Sequence, residues 1–292
     1  MNKMQIAIAS GKGGTGKTTV SVNLYYFLSK EFDNQVQLID CDVEEPNDLL
    51  FFPEAQKTDN KSVYSLVPKI DTNKCTFCKK CADWCEFNAI TIVKNLKFSE
   101  VNTDLCHSCG VCSVACNFNA ITEHKKPLGI ISKSEIKFGM GIVEGRLEIG
   151  SAMQTSLIKK VKKNASNTSQ ITLFDAPPGT SCPVVETVAD ANYVILVTEP
   201  TPFGVNDLKI TVELLFDLNI PFGVIVNKAG LGNDEIYRFL EEKNIELLGK
   251  IPFSKSYAGN YSKGELLKNI PAEMQEFYME IVKSLKTKIT SK

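Results

Sequence analysis

The sequence contains no long apolar run, and its positive and negative charges almost cancel. No stretch approaches the ~18 consecutive apolar residues typical of a membrane-spanning helix, so we expect no membrane span. The 33 basic and 34 acidic residues give a net charge of −1. A protein that binds nucleic acid without sequence specificity needs clustered positive charge, so we expect no nucleic-acid partner.

A secretory signal is also lacking. The chain begins Met-Asn-Lys and reaches only the short apolar run of residues 5–9, which is too short for a signal-peptide core. We therefore expect a cytoplasmic protein. Disulfides are disfavoured in that compartment, so the ten cysteines indicate metal or redox chemistry. At 292 residues and 43% hydrophobic content, the chain can form one large α/β core or two domains.

A glycine-rich segment, residues 11–19, lies between the apolar run 5–9 and the helix-like run 20–28. It fits the phosphate-binding pattern G-x-x-x-x-G-K-[ST] through Gly11, Gly16, Lys17 and Thr18. Glycines allow the backbone amides to face phosphates, and the helix start and the lysine add positive charge. The threonine hydroxyl can bind Mg²⁺. The alternative is an ordinary glycine-rich turn, which the strand before the segment and the helix after it disfavour.

The same segment carries a second lysine, Lys12. The form K-G-G-T-G-K-T-T resembles the deviant Walker A loop of the MinD/ParA/Mrp ATPases. That resemblance implies ATP and Mg²⁺ as cofactors, and a nucleotide-dependent homodimer or related heterodimer in which Lys12 reaches the partner's nucleotide. The nucleotide-binding residues that it implies are Gly11, Lys12, Gly13, Gly14, Thr15, Gly16, Lys17, Thr18 and Thr19.

Acidic residues end two further apolar runs. Asp40 and Asp42 follow residues 35–39, and Asp175 follows residues 171–174. The carboxyl ends of parallel strands meet at the edge of a sheet where ligands bind. By the family resemblance, Asp42 orients the attacking water and, with Thr18 and Asp175, holds Mg²⁺. The resemblance also gives Gly179 contact with the γ-phosphate. The alternatives are a pair of solvated turn acids for Asp40 and Asp42, and an ordinary strand end for Asp175.

A repeat of 31 residues occupies the middle of the chain. Each copy has the cysteine spacing C-x2-C-x2-C-x3-C followed by F-N-A-I-T. The copies contain Cys75, Cys78, Cys81 and Cys85, and Cys106, Cys109, Cys112 and Cys116. Thiolates in this tight spacing suit iron-sulfur clusters. Zinc is the alternative metal, but the duplicated four-cysteine run disfavours it.

This segment resembles a two-cluster bacterial ferredoxin, in which the last cysteine of each run binds the other cluster. The resemblance implies two 4Fe-4S clusters. Cys75, Cys78, Cys81 and Cys116 hold the first cluster, and Cys106, Cys109, Cys112 and Cys85 hold the second. The usual proline after each fourth cysteine is Glu86 or Asn117 here, which affects the local turn and not ligation. His107, between two of these cysteines, is interpreted as a surface residue or as a neighbour of the cluster ligands.

Two cysteines lie outside the repeat. Cys182 follows Asp175 by seven residues, a spacing comparable to that of a cysteine in the nitrogenase iron protein that helps to hold a cluster between subunits. That cluster needs a second cysteine from each subunit, so we favour a structural or reactive Cys182 over a bridging ligand. Cys41, at the end of an apolar run, is expected to be buried and inert.

Strands are predicted at residues 138–143, 193–198 and 222–227, and helices at 151–163, 204–218 and 272–287. By family resemblance, Asn227 recognises the adenine edge and Pro252 borders the base together with Phe253. The expected fold is a mostly parallel α/β P-loop domain with helices on both faces, residues 1–64 and 126–292. A small α+β ferredoxin-type domain is inserted at residues 65–125.

We predict an ATPase whose nucleotide-driven dimer rearrangement is coupled to electron transfer through two 4Fe-4S clusters. Its redox or apo-protein partner is unidentified. The first alternative is an iron-sulfur cluster carrier that delivers clusters to apo-proteins. A ParA-like positioning ATPase is disfavoured by the near-neutral charge, and corrinoid amidation by the lack of a glutaminase domain.

Overall fold

The computed structural model describes residues 3–290. In chain order, the strands are β1 (Met4–Ala9), β2 (Val36–Asp40), β3 (Gln56–Ile70), β4 (Ile90–Val93), β5 (Phe98–Val101), β6 (Ile121–Glu135), β7 (Ile142–Leu147), β8 (Ile171–Asp175), β9 (Tyr193–Thr198), β10 (Phe222–Ala229) and β11 (Leu247–Pro252). The helices are α1 (Lys17–Glu31), α2 (Lys80–Asp83), α3 (Val111–Ala115), α4 (Gln154–Lys162), α5 (Cys182–Val188), α6 (Pro202–Asp217), α7 (Glu235–Glu242), α8 (Lys255–Ser262) and α9 (Ala272–Thr290). Within residues 3–290, no helix is long and apolar enough to cross a membrane.

Nine strands form one sheet in the order β11-β10-β9-β1-β8-β2-β7-β6-β3. The seven strands from β11 to β7 each run parallel to their neighbours. β1, β2, β8 and β9 are almost entirely buried, which explains their continuous apolar runs, because a parallel sheet is covered on both faces. The sheet, with its flanking helices, confirms the predicted mostly parallel α/β fold.

The chain divides into two compact units. The first unit comprises residues 1–60, 131–146 and 158–292, and the second comprises residues 61–130 and 147–157. β3 and β6 each run from one unit into the other. Residues 147–157 belong to the second unit, although the sequence analysis assigned them to the ATPase domain.

The core of the first unit is built from the sheet and from the helices that pack on it. α9 packs against both β11 and α1. Phe27 of α1 stacks on Tyr278 of α9, with ring centroids 5.7 Å apart and planes inclined by 13°. The long C-terminal helix is therefore part of the main core.

In the second unit, the two halves of the sequence repeat share several backbone features. Each half has a short helix, α2 or α3, at the equivalent position, 31 residues apart. Non-glycine residues adopt positive φ at matched sites: Phe77 (54°) matches Ser108 (55°), and Asn88 (51°) matches Asn119 (50°). Positive φ is unfavourable for most side chains, so its recurrence shows that the repeat is structural.

Two predicted boundaries differ from the structure. The strand predicted at 138–143 begins only at Ile142, because Gly139 and Gly141 adopt φ of 70° and 85° and turn the chain. The helix predicted at 151–163 begins at Gln154. The other predicted strands and helices lie within about three residues of the observed elements.

Candidate functional site

The glycine-rich segment forms a loop between β1 and α1, as predicted. Gly14 and Gly16 adopt φ of 81° and 86°, and α1 begins at Lys17. A side chain at Gly16 would collide with the amide nitrogen of Asn227. Both positions therefore favour glycine because of their positive φ, and Gly16 also because of the close approach of Asn227.

Asp175, at the end of β8, is the centre of a buried polar network. Its Oδ1 lies 2.8 Å from Lys17 Nζ and accepts a hydrogen bond from Ser21 Oγ at 2.6 Å. Its Oδ2 accepts a hydrogen bond from Thr18 Oγ1 at 3.2 Å. The structure thus brings together the predicted Lys17, Thr18 and Asp175. Burial lowers the pKa of Lys17, but the Asp175 carboxylate outweighs it and the net pKa is raised.

Three carboxyl groups meet behind the loop. One oxygen from each of Asp40, Asp48 and Asp175 lies within 4.8 Å of the others, and all three residues are buried. Asp40 accepts hydrogen bonds from the backbone amides of Asp42, Asn47 and Asp48. Neither oxygen of Asp48 receives a hydrogen bond from the part of the chain that the structure describes.

Burial is the main cause of the raised pKa values of the carboxyl groups in this cluster. It raises the pKa of Asp40 to about 7, with a further contribution from Asp175. It raises the pKa of Asp48 well above its usual value, reinforced by Asp175 and Asp40. Burial also raises the pKa of the half-buried Asp42 to about 6, opposed by Lys17. A divalent cation beside these groups would favour their ionised forms.

Lys12 pairs with a residue that the sequence analysis did not identify. Its Nζ lies 2.7 Å from Oε1 of Glu199, a buried residue at the end of β9. The other oxygen, Oε2, lies 2.7 Å from Lys228 Nζ, which also donates to the carbonyl of Gly14 at 2.8 Å. These two hydrogen-bonded lysines hold the pKa of Glu199 below its usual value, although burial opposes them. Glu199 therefore pairs with Lys12 of the phosphate loop and with Lys228, which itself contacts the loop.

A cavity of about 430 Å³ opens over the loop. The predicted base-binding residues Asn227, Pro252 and Phe253 line it, and so does Asp42. Asn227 Nδ2 donates a hydrogen bond to the carbonyl of Thr15 at 2.7 Å. The Gly179 amide, predicted to contact a phosphate, donates instead to the Ser10 carbonyl at 2.9 Å. The loop residues that also line the cavity are Lys12, Gly13, Gly14, Thr15, Gly16, Lys17, Thr18 and Thr19.

In the second unit, the eight repeat cysteines line two cavities. We call them the first and second cavities; each takes three cysteines from one repeat and the last cysteine of the other repeat. The first cavity is lined by Cys75, Cys78, Cys81 and Cys116, and the second by Cys85, Cys106, Cys109 and Cys112. The two groups coincide with the two ligand sets predicted from the sequence. Four thiols around each cavity match the donor set of a 4Fe-4S cluster.

Backbone amides orient several of these sulfurs. The amides of Phe77 and Ser108, at equivalent repeat positions, donate to Cys75 Sγ at 3.4 Å and Cys106 Sγ at 3.5 Å. Burial raises the pKa of Cys81 to about 11 and also raises the pKa of Cys106 and Cys112. These thiols therefore favour the protonated form unless a cation replaces the proton.

His107, Cys41 and Cys182 lie outside the two sets of cysteines that line the cavities. His107 is exposed and stacks on Phe87, with ring centroids 3.7 Å apart. Cys41 is fully buried, and burial, reinforced by the Asp40 charge, raises the pKa of its thiol well above the usual value. Cys182 is exposed at the first position of α5.

The loop after the central strand β1, with Lys17 starting the helix and Asp175 ending the adjacent β8, defines a P-loop nucleotide-binding protein. The family follows from the sequence: residues 6–267 match the model of the CobQ/CobB/MinD/ParA nucleotide binding domain, CbiA. The chain belongs to this family.

Two relatives are 34% identical over most of the chain, and a third matches part of it. The uncharacterized protein MJ0578 of Methanocaldococcus jannaschii is 34% identical over 284 residues, 97% of this chain and 96% of its own length. MJ0579 of the same organism is 34% identical over 271 residues, 90% of each chain. The iron-sulfur cluster carrier protein of that organism is 27% identical over 136 residues, 41% of this chain and 47% of its own.

Solved structures support the fold alone. The septum site-determining protein MinD of Pyrococcus horikoshii, complexed with Mg-ADP, has a TM-score of 0.60 at 17% identity and covers 97% of this chain and 96% of its own. The cell division ATPase MinD of Pyrococcus furiosus has a TM-score of 0.59 at 17% identity, covering 98% and 99%. The predicted P-loop fold is thus confirmed.

Four residues of this site were not predicted from the sequence: Glu199, Asp48, Ser21 and Lys228. Glu199 directly follows an apolar strand, the same signal that identified Asp175, and could have been found in that way. Asp48 lies beyond such a strand end, in a 3-10 turn at Asp48–Phe51, where nothing in the sequence separates it from a solvated turn acid.

Proposed function

We propose that this protein binds and hydrolyses ATP and uses nucleotide-dependent rearrangement of a dimer to control electron transfer through two 4Fe-4S clusters. The observation that carries the proposal is the crossed arrangement of eight cysteines around two cavities, in a chain that also contains a phosphate loop.

The phosphate-loop network supports ATP chemistry. Lys17 is paired with Asp175 and Thr18 donates to the same carboxylate, so all three polar groups are already held together. With ATP bound, Lys17 would contact the phosphates, and Thr18, Asp42 and Asp175 would hold Mg²⁺ directly or through water. Asp42 lines the cavity, where it can orient a water molecule toward the γ-phosphate.

Lys12 is the reason that the proposed mechanism includes a dimer. In the proposed mechanism Lys12 leaves Glu199 and reaches the nucleotide of the partner subunit, either a second copy of this chain or a related one. Glu199 is two residues from Thr201, the N-cap of α6, whose hydroxyl accepts from the Gly204 amide at 3.1 Å. Release of Lys12 would thus remove one of the two lysines that pair with a carboxylate near the start of a long helix.

The cysteine cavities support the cluster assignment. Bound clusters would supply one-electron transfer. The chain would contribute four thiolates to each cluster and the amide donors to Cys75 and Cys106 that fix sulfur orientation. Hydrogen bonds to ligand sulfurs are one of the means by which a protein sets reduction potential.

The order of motifs along the chain supports coupling. The cysteine repeats follow Asp42 and precede Asp175 and Gly179, so the chain that enters and leaves the second unit is continuous with two segments proposed to respond to the γ-phosphate. Nucleotide-dependent ordering of such segments is a common switching device.

The test is a redox titration of anaerobically purified protein, followed by electron paramagnetic resonance with and without MgATP. We expect MgATP to shift a midpoint potential or a line shape, and Lys17→Ala to abolish the shift while leaving about eight irons per chain. An unchanged spectrum in the wild type, with ATP binding shown by calorimetry, would contradict direct coupling. The absence of cluster iron from the wild type would contradict the cluster assignment itself.

A second candidate function is cluster delivery to apo-proteins. The partial similarity to an iron-sulfur cluster carrier protein favours it, and Cys182 is exposed, as a labile ligand must be. This function predicts cluster iron beyond the eight-cysteine complement that is lost in Cys182→Ser and transferred to an apo-acceptor. Iron that stops at about eight per chain and is unchanged in Cys182→Ser would exclude it.

A further inference from the structure

The two cavities of the second unit can be compared position by position. Because the repeat period is 31 residues, every residue that lines the first cavity, except Ile70, has a counterpart that lines the second. Three apolar residues are identical at matched positions. Phe118, Ala120 and Ile121 line the first cavity, and Phe87, Ala89 and Ile90 line the second.

The charged positions break this symmetry. Lys79 and Lys80 line the first cavity, and their counterparts around the second are Gly110 and Val111. Glu123 lines the second cavity, and its counterpart is Ile92. At three matched positions, therefore, the first cavity carries two positive charges and the second carries one negative charge.

The first of these positions has a similar backbone in both repeats, while its side chain differs in size and charge. Lys79 adopts φ of 68° and Gly110 adopts 74°, and each precedes the short helix of its repeat. Lys79 keeps this left-handed conformation without the conformational freedom of glycine, which is unfavourable. Glu123 approaches the glycine of its own cavity, since a Cβ on Gly110 would lie 3.5 Å from Glu123 Oε1.

We propose that this asymmetry gives the two sites different reduction potentials, so that the first accepts an electron before the second. The inference rests on the proposed function, because it requires a cluster in each cavity. Reduction adds one negative charge, which the two lysines stabilise and the carboxylate of Glu123 opposes. A single electron from a one-electron donor therefore resides at the first cavity, and transfer from the second to the first is downhill.

All three charged residues are exposed, so solvent and salt reduce their effect. We expect the equilibrium between the two singly reduced forms to favour the first site by about tenfold, which for a one-electron couple is about 59 mV. Higher ionic strength should bring the two potentials closer together.

The test exchanges residues between the repeats. In anaerobic redox titrations of the full chain, Glu123→Ile should raise the lower of the two midpoint potentials and leave the higher one in place. Lys80→Val should lower the higher potential and leave the lower one in place. Each variant takes the residue found at the matched position of the other repeat, so the packing it introduces already exists in the molecule.

Charge-preserving variants are the controls. Glu123→Asp and Lys80→Arg should retain both wild-type potentials, and iron and sulfide should stay at the wild-type content in every variant. Two coincident wild-type potentials, or a shift of the wrong potential, would overturn the inference while leaving the clusters established. Wild-type protein without cluster iron would instead overturn the proposed function, and the inference with it.

Discussion

Glu199 neutralises two lysines beside a cavity that we propose to hold a polyanion. Both oxygens are used, one by Lys12 and one by Lys228, and both lysines line the cavity over the phosphate loop. The carboxylate therefore competes with nucleotide phosphates for the same cations. It also stabilises the protein before nucleotide binds, because otherwise two ammonium groups would lie close together without compensation.

Glu199→Gln should accordingly have opposite effects on stability and on nucleotide binding. We expect the free energy of unfolding without nucleotide to fall by about 1–2 kcal/mol, because two charge-assisted hydrogen bonds are weakened. We expect the Kd for ATP to fall about three- to tenfold, because both lysines become available. Urea denaturation and calorimetry measure the two effects. Glu213→Gln, an exposed position on α6, is the control; equal ATP affinity in the wild type and Glu199→Gln would contradict the competition.

Asp48 provides a pH-dependent test of the buried carboxyl cluster. Its raised pKa means that the folded state keeps a proton that the unfolded state loses above about pH 4. The folded state then binds more protons than the unfolded state, so stability falls as the pH rises from 4 toward neutrality. The same direction applies to Asp40, whose pKa of about 7 sets the upper end of its window.

Asp48→Asn should remove this cost. Without nucleotide or Mg²⁺, we expect the free energy of unfolding to rise at pH 8, and by much less at pH 4.5. Urea denaturation at the two pH values tests this, with the exposed Glu44→Gln as control. A stabilisation of the same size at both pH values would show that the carboxyl charge is not the cause.

The residues that could be predicted from the sequence belong to regular local patterns. The phosphate-loop residues and the eight cysteines follow fixed spacings, and Asp175 ends an apolar strand. Glu199 acquires its role only because β9 lies beside β1 in the sheet, so that its carboxylate meets Lys12 from a distant part of the chain. Pairings of this kind depend on strand order, which the local sequence does not encode.

At the scale of elements, the phosphate loop is held in shape by the end of β10. Asn227 donates to the Thr15 carbonyl, and its side chain occupies the space where a Cβ on Gly16 would lie. The loop conformation therefore depends both on the positive φ of Gly16 and on the neighbouring strand. The sequence indicated the glycine but assigned Asn227 only a base-binding role, because the β10 contact is not visible without the fold.

A double-mutant cycle separates these two contributions. Gly16→Ala should reduce the free energy of unfolding by about 2–3 kcal/mol through strain and collision. In an Asn227→Ala background the collision disappears, so the same substitution should cost about 1–2 kcal/mol. Thermal or urea unfolding of the four proteins gives the coupling. Strict additivity would mean that the Asn227 side chain moves aside without cost.

Element boundaries were least predictable where glycines interrupt an apolar run. The run at residues 138–143 satisfies the pattern of a strand, yet β7 starts at Ile142. A Cβ on Gly141 would lie 2.4 to 3.6 Å from backbone atoms of Ser134 and Glu135, so the turn there is fixed by a neighbouring strand. Apolar periodicity alone carries no information about that approach.

At the scale of the whole molecule, the two units have unequal cores. The first unit contains a continuous apolar core of large side chains from its sheet and helices. The second unit has two small clusters of buried residues, and cysteines belong to both. A unit of this kind gains much of its folding free energy from metal binding if clusters are present.

Removal of iron should therefore affect the second unit selectively. After chelation under oxidising conditions, we expect hydrogen exchange of the amides between residues 75 and 122 to accelerate by at least a hundredfold, while β1, β8 and β9 retain their protection. Exchange followed by mass spectrometry measures both regions in one sample. Full protection of residues 75–122 without iron would show that the apolar contacts suffice.

The exchange of the fourth cysteine between the two repeats has a consequence for how the second unit could have arisen. Each repeat completes its partner's cavity and leaves its own one thiol short. A single ancestral repeat could have surrounded a cavity with four cysteines only by pairing with a second copy of itself. Gene duplication within one chain would then have made an association between molecules permanent, and freed each copy to diverge in charge.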